Sequence, residues 1–596
     1  MSWEPPVAAA VRPPNVILIV ADDLGYGDLG CYGRTDLRTP HLDRMAAEGL
    51  RFTGFQVPQA VCSASRAALL TGCYPNRVGI LGALFPGAPM GLHPGEVTMA
   101  EVLQARGHAT CIVGKWHLGD APPFHPLRHG FDEWLGLPYS NDMWPRHPTM
   151  TNFPPLPMLD GFAVVNGDVG PEDQAALTAR YTARAVDFIR RQARRPFFLY
   201  VAHSMPHVPL FASERFRGRS GAGLYGDVIE ELDASVGDIL AALQETGVER
   251  DTLVLFTSDN GPWLTYGDHA GVTGGLREGK GTAWEGGVRV PLIVRWPGQV
   301  APGRVHSGVA STLDLLPTLA ALTDAPMPQE RVVDGRNLAS VFTNAPTSDV
   351  EDSFVPGYYG ANLCHLRWGH WKRVFSHVYQ HLDRAGAGGL PGAYIQQRTG
   401  PALFHLGDDP AEAVDVSVTH SEVAALLDQA GDRWRRSLGD GLRTLVGTEV
   451  RPAGFAAAFR VLPEGDGRLS LRATNAVVQG VDLRYGLVSG LEAITSWTRT
   501  SDRAEWELVI HRTGAYRIEV EHASRPGVRD VPLDIFVNGQ RIRRALAGQG
   551  ADTFVVESPG TVQFAAGGRH RLEVRGATPS GSALDALRAV VLHPIP

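Results

Sequence analysis

Acidic and amide side chains close two apolar runs that lie far apart in the chain. Asp22-Asp23 follows Val16-Ile17-Leu18-Ile19-Val20, and Asp259-Asn260 follows the run at 252–257. These four offer hard oxygen ligands, a donor set suited to calcium or magnesium rather than zinc. Cys62-Ser63-Ala64-Ser65-Arg66 stands just before a helix-like stretch at 65–70. A helix starting there turns its first amides and the positive end of its dipole toward an anion beside Cys62. Arg66, one turn on, projects back toward the same point. Lys115 and His117 in Gly114-Lys115-Trp116-His117-Leu118-Gly119, His207 in Pro206-His207-Val208-Pro209, and Lys280 in Gly279-Lys280-Gly281-Thr282 add cations and imidazoles. Histidine suits proton transfer near neutral pH, and a divalent ion lowers the cost of forming an oxyanion beside it. Taken singly, the pieces read as a buried inert cysteine, a turn or helix-cap pair of acids, and a surface arginine. The chemistry rests on their convergence.

Those residues need one scaffold. Near-continuous β-branched runs at 15–20, 109–113, 196–201, 252–257 and 291–296 predict strands buried on both faces. Helix-like stretches at 65–70, 173–194 and 225–246 alternate with them. The alternation predicts an α/β domain with a large, mixed but mostly parallel sheet flanked by helices. In such sheets chemistry collects beyond the carboxyl ends of the strands. Asp22-Asp23, Lys115-Trp116-His117, His203 to His207 and Asp259-Asn260 all sit just after apolar runs.

Short strand-like pieces at 366–368, 370–375 and 402–405, a Gly-rich loop at 386–392 and a helix over 421–436 predict a small antiparallel subdomain. From about Gly454 the chain reads all-β, with runs at 468–473, 504–511, 515–520, 531–536, 561–564 and 569–574 split by Gly and Pro clusters, as in a β-sandwich. The expected domains are 1–362, 363–445 and 446–596.

With 596 residues the chain exceeds one ordinary core. Its net charge of −8, without a basic block, gives no electrostatic case for nucleic acid or an anionic membrane as partner. Five cysteines, few and odd in number, argue against a disulfide framework and suit a reducing compartment. The segment Met1-Ser2-Trp3-Glu4-Pro5-Pro6 shows no leader pattern, and no apolar run approaches ~18 residues. The expectation is a cytoplasmic protein.

Taken in order from about Asn15 to Leu442, the segments above, with Leu69-Leu70-Thr71-Gly72-Cys73-Tyr74-Pro75 after the cysteine motif, Ser258-Asp259-Asn260-Gly261 and Glu285-Gly286-Gly287, resemble the sulfatase family of the alkaline phosphatase superfamily. The resemblance implies an alkaline-phosphatase-like fold and an arylsulfatase-like sulfuric ester hydrolase. It implies that a maturation enzyme oxidises Cys62 to formylglycine; Ala64 stands where many members carry proline. One hydroxyl of the hydrated aldehyde would attack sulfur and the other would lose its proton as sulfate leaves, dividing one hard step into two. Serine lacks that second route. The resemblance further implies calcium, in preference to magnesium, at Asp22, Asp23, Asp259 and Asn260 beside residue 62.

By the same resemblance Arg66 orients the formylglycine and the sulfate oxygens, and Lys115 binds sulfate. His117 takes a proton as the intermediate collapses. His207 and Lys280 face the leaving oxygen, His207 being favoured as the acid. Ser140, in Pro138-Tyr139-Ser140-Asn141-Asp142, is a weaker candidate to hydrogen-bond sulfate, since such a segment is also a plain turn. His269, next to Asp268 on a loop before Lys280, is a candidate contact for the alcohol portion. His203 reads as a core histidine.

The substrate expected is a sulfated small molecule or carbohydrate, its alcohol selected by loops at 122–126, 143–157 and 263–275. Trp144, Trp263 and Trp284 are either ring-stacking or core. Glu505-Trp506-Glu507-Leu508 and Thr513-Gly514-Ala515-Tyr516-Arg517 resemble jelly-roll carbohydrate-binding modules, with sugar-binding and structural or dimerising roles both open. Two other functions stay open: a phosphonate or phosphate ester hydrolase of the same superfamily, and an unmodified, inactive sugar-binding homologue. Oligomeric state is open.

Overall fold

The structure, a computed structural model, describes residues 12–343 and 353–595, apart from 457–459, 481–482, 489–490, 525–530, 547–549, 576, 579–580 and 583. Residues 1–11, on which the expectation about a leader rests, lie outside the described residues. Among the described residues no helix is long and apolar enough to cross a membrane.

A ten-stranded sheet runs from Arg304–His306 through Leu50–Phe52, Leu292–Arg295, Thr252–Ser258, Asn15–Ala21, Phe197–Ala202, Ala109–Gly114, Glu133–Gly136 and Met158–Asp160 to Ala163–Asn166. The five strands from Thr252–Ser258 to Glu133–Gly136 are mutually parallel. Leu292–Arg295 and Met158–Asp160 pair antiparallel on either side of this block. All seven residues of Asn15–Ala21 are buried. Because successive strand side chains point to opposite faces, Ile17, Ile19 and Ala21 enter one core with the helices Leu177–Gln192 and Gly223–Glu245. Val16, Leu18 and Val20 enter the other, with Cys62–Thr71, Met99–Ala105 and Leu315–Thr323. Each buried Val, Leu or Ile of this strand contributes about 1.5–3 kcal/mol by leaving water, which fixes the strand between the two cores.

A four-stranded antiparallel sheet, Phe354–Tyr359, Asn362–Trp368, Trp371–Val374 and Ala402–His405, packs against the helix Ser421–Leu438. Its first strand begins at Phe354, upstream of the boundary expected at 363. The signal there is weak because Pro356 and Gly357 interrupt the apolar run, and the ladder carries an irregularity after Gly357. A hairpin of His377–Arg384 and Ala393–Thr399 leaves this unit. The segment joining its strands donates from Gly386 N and Gly392 N to Thr265 O at 2.8 and 2.7 Å, which ties the hairpin to the part of the chain that carries the large sheet.

The C-terminal residues form two antiparallel sheets over one core that includes Trp497, Trp506, Tyr516 and Phe564. This β-sandwich meets the first domain where Arg128 lies over the Tyr485 ring at 4.2 Å and donates to Tyr485 Oη and Thr474 O. Phe162 packs edge-on against the same ring.

Candidate active site

Parallel pairing of Asn15–Ala21 with Thr252–Ser258 places Ala21 opposite Ser258, so the residues that follow each strand emerge side by side. Asp23 takes a left-handed conformation (φ 65°) and donates its N–H to Asp259 Oδ1 at 3.1 Å. Asn260 Nδ2 donates to Asp23 Oδ1 at 2.7 Å, while Asn260 Oδ1 is buried with no partner. The helix expected at 65–70 starts at Cys62 itself, and Cys62 Sγ lies 3.7 Å from Asp22 Oδ1. Two further strand ends on the same edge supply Lys115 and His117, and His207.

Cations surround the acids. Arg66 Nε and Nη2 reach Asp259 Oδ2 at 3.0 and 2.9 Å, and Nη2 lies 3.5 Å from Asp22 Oδ1. Lys115 Nζ donates to Asp22 Oδ2 at 2.6 Å and Ser140 Oγ at 3.3 Å. Lys280 Nζ donates to Asp23 at 2.8 Å and sits 4.4 Å from the Trp263 ring centre. His207 Nε2 faces Asp23 Oδ2 and Ser140 Oγ, each at 3.5 Å, with Nδ1–H donating to Val208 O at 2.5 Å. Ligand atoms of Asp22, Asp23, Cys62 and His207 all lie within 4.8 Å of one another, and all four residues are buried.

Burial at this density fixes protonation. Desolvation pushes the Cys62 thiol up to about 12 against the pull of Lys115 and Lys280, so the sulfur is a neutral thiol at neutral pH and a poor nucleophile. Burial raises the Asp22 carboxyl, but Lys115 and Arg66 outweigh it and hold Asp22 below its usual range. Burial opposes the Lys280 charge, yet Asp23 keeps it an ammonium well above its ordinary range. Burial, then Lys115 and Arg66, holds His117 well below its usual range and therefore neutral. His117 Nε2–H donates to Leu84 O at 2.9 Å, which leaves Nδ1 as a buried lone pair with no partner.

A family model for Sulfatase matches residues 14–325. Arylsulfatase A of Homo sapiens is 44% identical over 425 residues, covering 68% of this chain and 83% of that protein. N-acetylgalactosamine-6-sulfatase of Rattus norvegicus is 39% identical and covers 71% of this chain and 85% of its own. Among solved structures, the PsFucS1 sulfatase from Pseudoalteromonas sp. superposes with a TM-score of 0.64 at 28% identity, covering 71% of this chain and 89% of that one. The chain belongs to the sulfatase family.

It is accordingly a sulfuric ester hydrolase of the arylsulfatase-like kind. The sulfatase cavity has a volume of about 440 Å³ and opens directly over Cys62, His117, Ser140, His207 and Lys280. His269 is not among its lining residues; it packs against Gly389 of the hairpin. Its neighbour Asp268 accepts from Gly388 N at 2.8 Å, which holds this stretch of the loop against the hairpin segment. His203 is a core residue. Its Nε2 meets Ser235 Oγ at 3.4 Å, and burial brings it down to about 4. Of the three tryptophans, Trp263 lines the cavity, whereas Trp144 and Trp284 are buried in the cores.

Sequence reasoning did not single out Phe85, Asp142, His147, Phe153, Tyr359, Gln380 and Tyr394 as lining residues. The last three come from the small subdomain and its hairpin, whose approach to the cavity depends on long-range packing. Asp142 did carry a signal, two residues after Ser140 in the same turn.

Proposed function

We propose that this sulfatase cleaves a sulfate monoester of a carbohydrate, using formylglycine at position 62 and a bound calcium ion. The observation that carries the reading is the thiol of Cys62, 3.7 Å from Asp22 and ringed by Arg66, Lys115 and Lys280. A thiol held neutral by burial does little there, whereas an oxygen-bearing side chain would sit among cations suited to an anion.

The residues present fit both groups. Asp22, Asp23, Asp259 and Asn260 would hold calcium, and the orphaned Asn260 Oδ1 is an oxygen donor in want of a cation. With the thiol, the cluster of Asp22, Asp23, Cys62 and His207 is mixed in softness; oxidation of Cys62 makes its contribution a hard oxygen. Calcium would supply positive charge against the sulfate and lower the cost of an oxyanion beside it. Formylglycine, once hydrated, would supply the attacking hydroxyl and a second hydroxyl through which sulfate is released.

The remaining chemistry belongs to side chains already in place. Lys115, Lys280 and Arg66 neutralise the tetrahedral anion, and Ser140 Oγ adds a hydrogen bond from beside Lys115. His117 Nδ1, the unpartnered lone pair, accepts the proton that accompanies sulfate release. His207, with its Nδ1–H held by Val208 O, delivers the second, Nε2 proton of its charged form to the departing alcohol oxygen. Lys280 cannot take that part readily, since Asp23 holds it as a firm ammonium, so it binds charge instead.

Aromatic rings around the cavity and the relative named N-acetylgalactosamine-6-sulfatase support a carbohydrate as the alcohol portion. The test is sulfate release from an aryl sulfate, sulfated monosaccharides and sulfated polysaccharides, with and without chelator. Release from a monosaccharide that stops with chelator is expected. Turnover of aryl phosphonate in preference to every sulfate ester would overturn the reading.

A further inference from the structure

The cavity wall holds one polar pair that the sulfate chemistry does not use. Asp142 and His147 both line it and both are buried. His147 Nδ1 accepts from Thr149 N at 3.1 Å and Met150 N at 2.9 Å, so Nδ1 carries the lone pair and the ring proton sits on Nε2. That Nε2–H has no hydrogen-bond partner, and neither has Asp142 Oδ1. Asp142 Oδ2 stands 3.7 Å from His147 Nε2, too far for the two to satisfy each other. A buried donor and a buried acceptor, left unpaired side by side, cost stability unless a partner group reaches them.

The group that completes such a pair must accept from Nε2–H and donate to the carboxylate. A hydroxyl does both. A second sulfate or a carboxylate accepts only, and it would meet the negative charge of Asp142. The rest of the wall offers such an anionic group little: among the described residues no arginine lines the cavity, and the one lysine that does, Lys280, is engaged by Asp23. Much of the remaining wall is aromatic or apolar, with Trp263 beside His207 at 5.5 Å between ring centres and Phe85 stacked on Phe153 at 6.1 Å, and its other polar groups, among them Thr265 and Gln380, are uncharged. A sugar ring presents that combination, an apolar C–H face and outward hydroxyls.

We infer that Asp142 and His147 are the specificity-determining pair for the alcohol portion, selecting a ring that carries a free hydroxyl and one sulfate and rejecting rings that carry a second anionic group. The inference rests on the proposed sulfate-ester chemistry and adds to it the class of alcohol.

Asp142→Asn keeps the side-chain volume and removes the negative charge. His147→Asn keeps an acceptor near the place of Nδ1 for Thr149 N and Met150 N, and removes Nε2. Initial rates of sulfate release by the full chain are measured on 4-nitrophenyl sulfate, on a monosulfated hexose and on its disulfated counterpart. The wild-type protein is expected to favour the monosulfated over the disulfated hexose by at least about tenfold. Both variants lose on the order of tenfold or more in kcat/KM for the monosulfated hexose beyond any loss on 4-nitrophenyl sulfate, which has no hydroxyl to read. Asp142→Asn also narrows the preference for one sulfate over two. Equal losses on the aryl and hexose substrates, or a wild-type protein that cleaves the disulfated hexose as well as the monosulfated one, overturn the inference and leave the sulfatase reading intact. A wild-type protein that releases sulfate from none of the three overturns both.

Discussion

Replacing Lys372 with methionine would remove one ammonium from a cluster that buries two carboxylates and three cations together. Lys372 Nζ donates to Glu285 Oε1 at 3.0 Å and to Ala283 O at 2.9 Å, and pairs with Glu412 Oε1 at 2.8 Å. Glu285 also meets Arg367 at 2.9 Å and Arg289 Nε at 2.6 Å, and its backbone N–H donates to Glu412 Oε2 at 2.7 Å. One charge pair at this separation is worth roughly 6 kcal/mol in an effective dielectric of about 20, before desolvation is subtracted. Measured losses on breaking such a buried pair are about 3–5 kcal/mol. The lower end, about 3 kcal/mol, applies here, because Glu285 keeps both arginines and Glu412 can take up a proton instead of staying charged.

That last point sets a pH signature. Burial, and then the charge of Glu285, raises Glu412 above its ordinary value, against the pull of Lys372. Without Lys372 it rises further. A carboxyl whose folded pKa is raised contributes most below its unfolded value and loses that contribution as pH rises through the folded one. The stability deficit of Lys372→Met therefore grows from acid toward pH 8. The cluster also anchors the loop from Gly279 to Glu285, so Lys280 loses its fixed position; misplacing a catalytic group by ~1 Å costs up to ~100-fold. Denaturant melts across pH, with sulfate-release kinetics, measure both effects. Adding Glu412→Gln to Lys372→Met should recover part of the stability, since the orphaned charge goes too. A variant that melts with wild type at every pH and turns over within twofold of it would refute the coupling.

Lys280→Met and His207→Gln separate charge binding from proton delivery. With 4-nitrophenyl sulfate, whose leaving group departs readily without a proton, the lysine variant should lose on the order of a hundredfold in kcat/KM and the histidine variant clearly less, while with an alkyl sulfate both should be severe. Equal losses on both esters would assign the proton to neither residue. Burial brings His125 and His129 down to about 3 and His203 to about 4. A depressed histidine contributes stability above its unfolded value of 6.5 and loses it as pH falls. Each should cost about 2 kcal/mol between pH 6.5 and 5, and His203→Gln should flatten the acid limb of a pH-stability curve by about one such step.

Much of the site was legible because strand ends are local. An apolar run ending in Asp22-Asp23 or Asp259-Asn260 states which residues leave the buried sheet, and parallel pairing brings those ends together. The central parallel strands were visible for the same reason: they are buried on both faces and read as unbroken runs. Edge elements were not. Phe354–Tyr359 is broken by Pro356 and Gly357, and its membership in the small sheet depends on a partner strand rather than on its own pattern. The wall of the cavity was the least legible part. Gln380 and Tyr394 reach it from a hairpin whose connecting segment hydrogen-bonds Thr265 O, a contact between residues more than a hundred positions apart. The placement of His269 beside Gly389, with Asp268 accepting from Gly388 N, likewise depends on a segment more than a hundred positions away.

The proposed chemistry turns on what side chain the mature protein carries at position 62. Mass spectrometry of the tryptic peptide containing that residue, from protein that releases sulfate, tests it most directly. The account predicts a peptide lighter than the cysteine form by the mass expected when –CH2SH becomes –CHO, which alkylation of thiols leaves unlabelled, together with loss of turnover in Cys62→Ala. A fully alkylated Cys62 thiol in protein with undiminished sulfate release would contradict it.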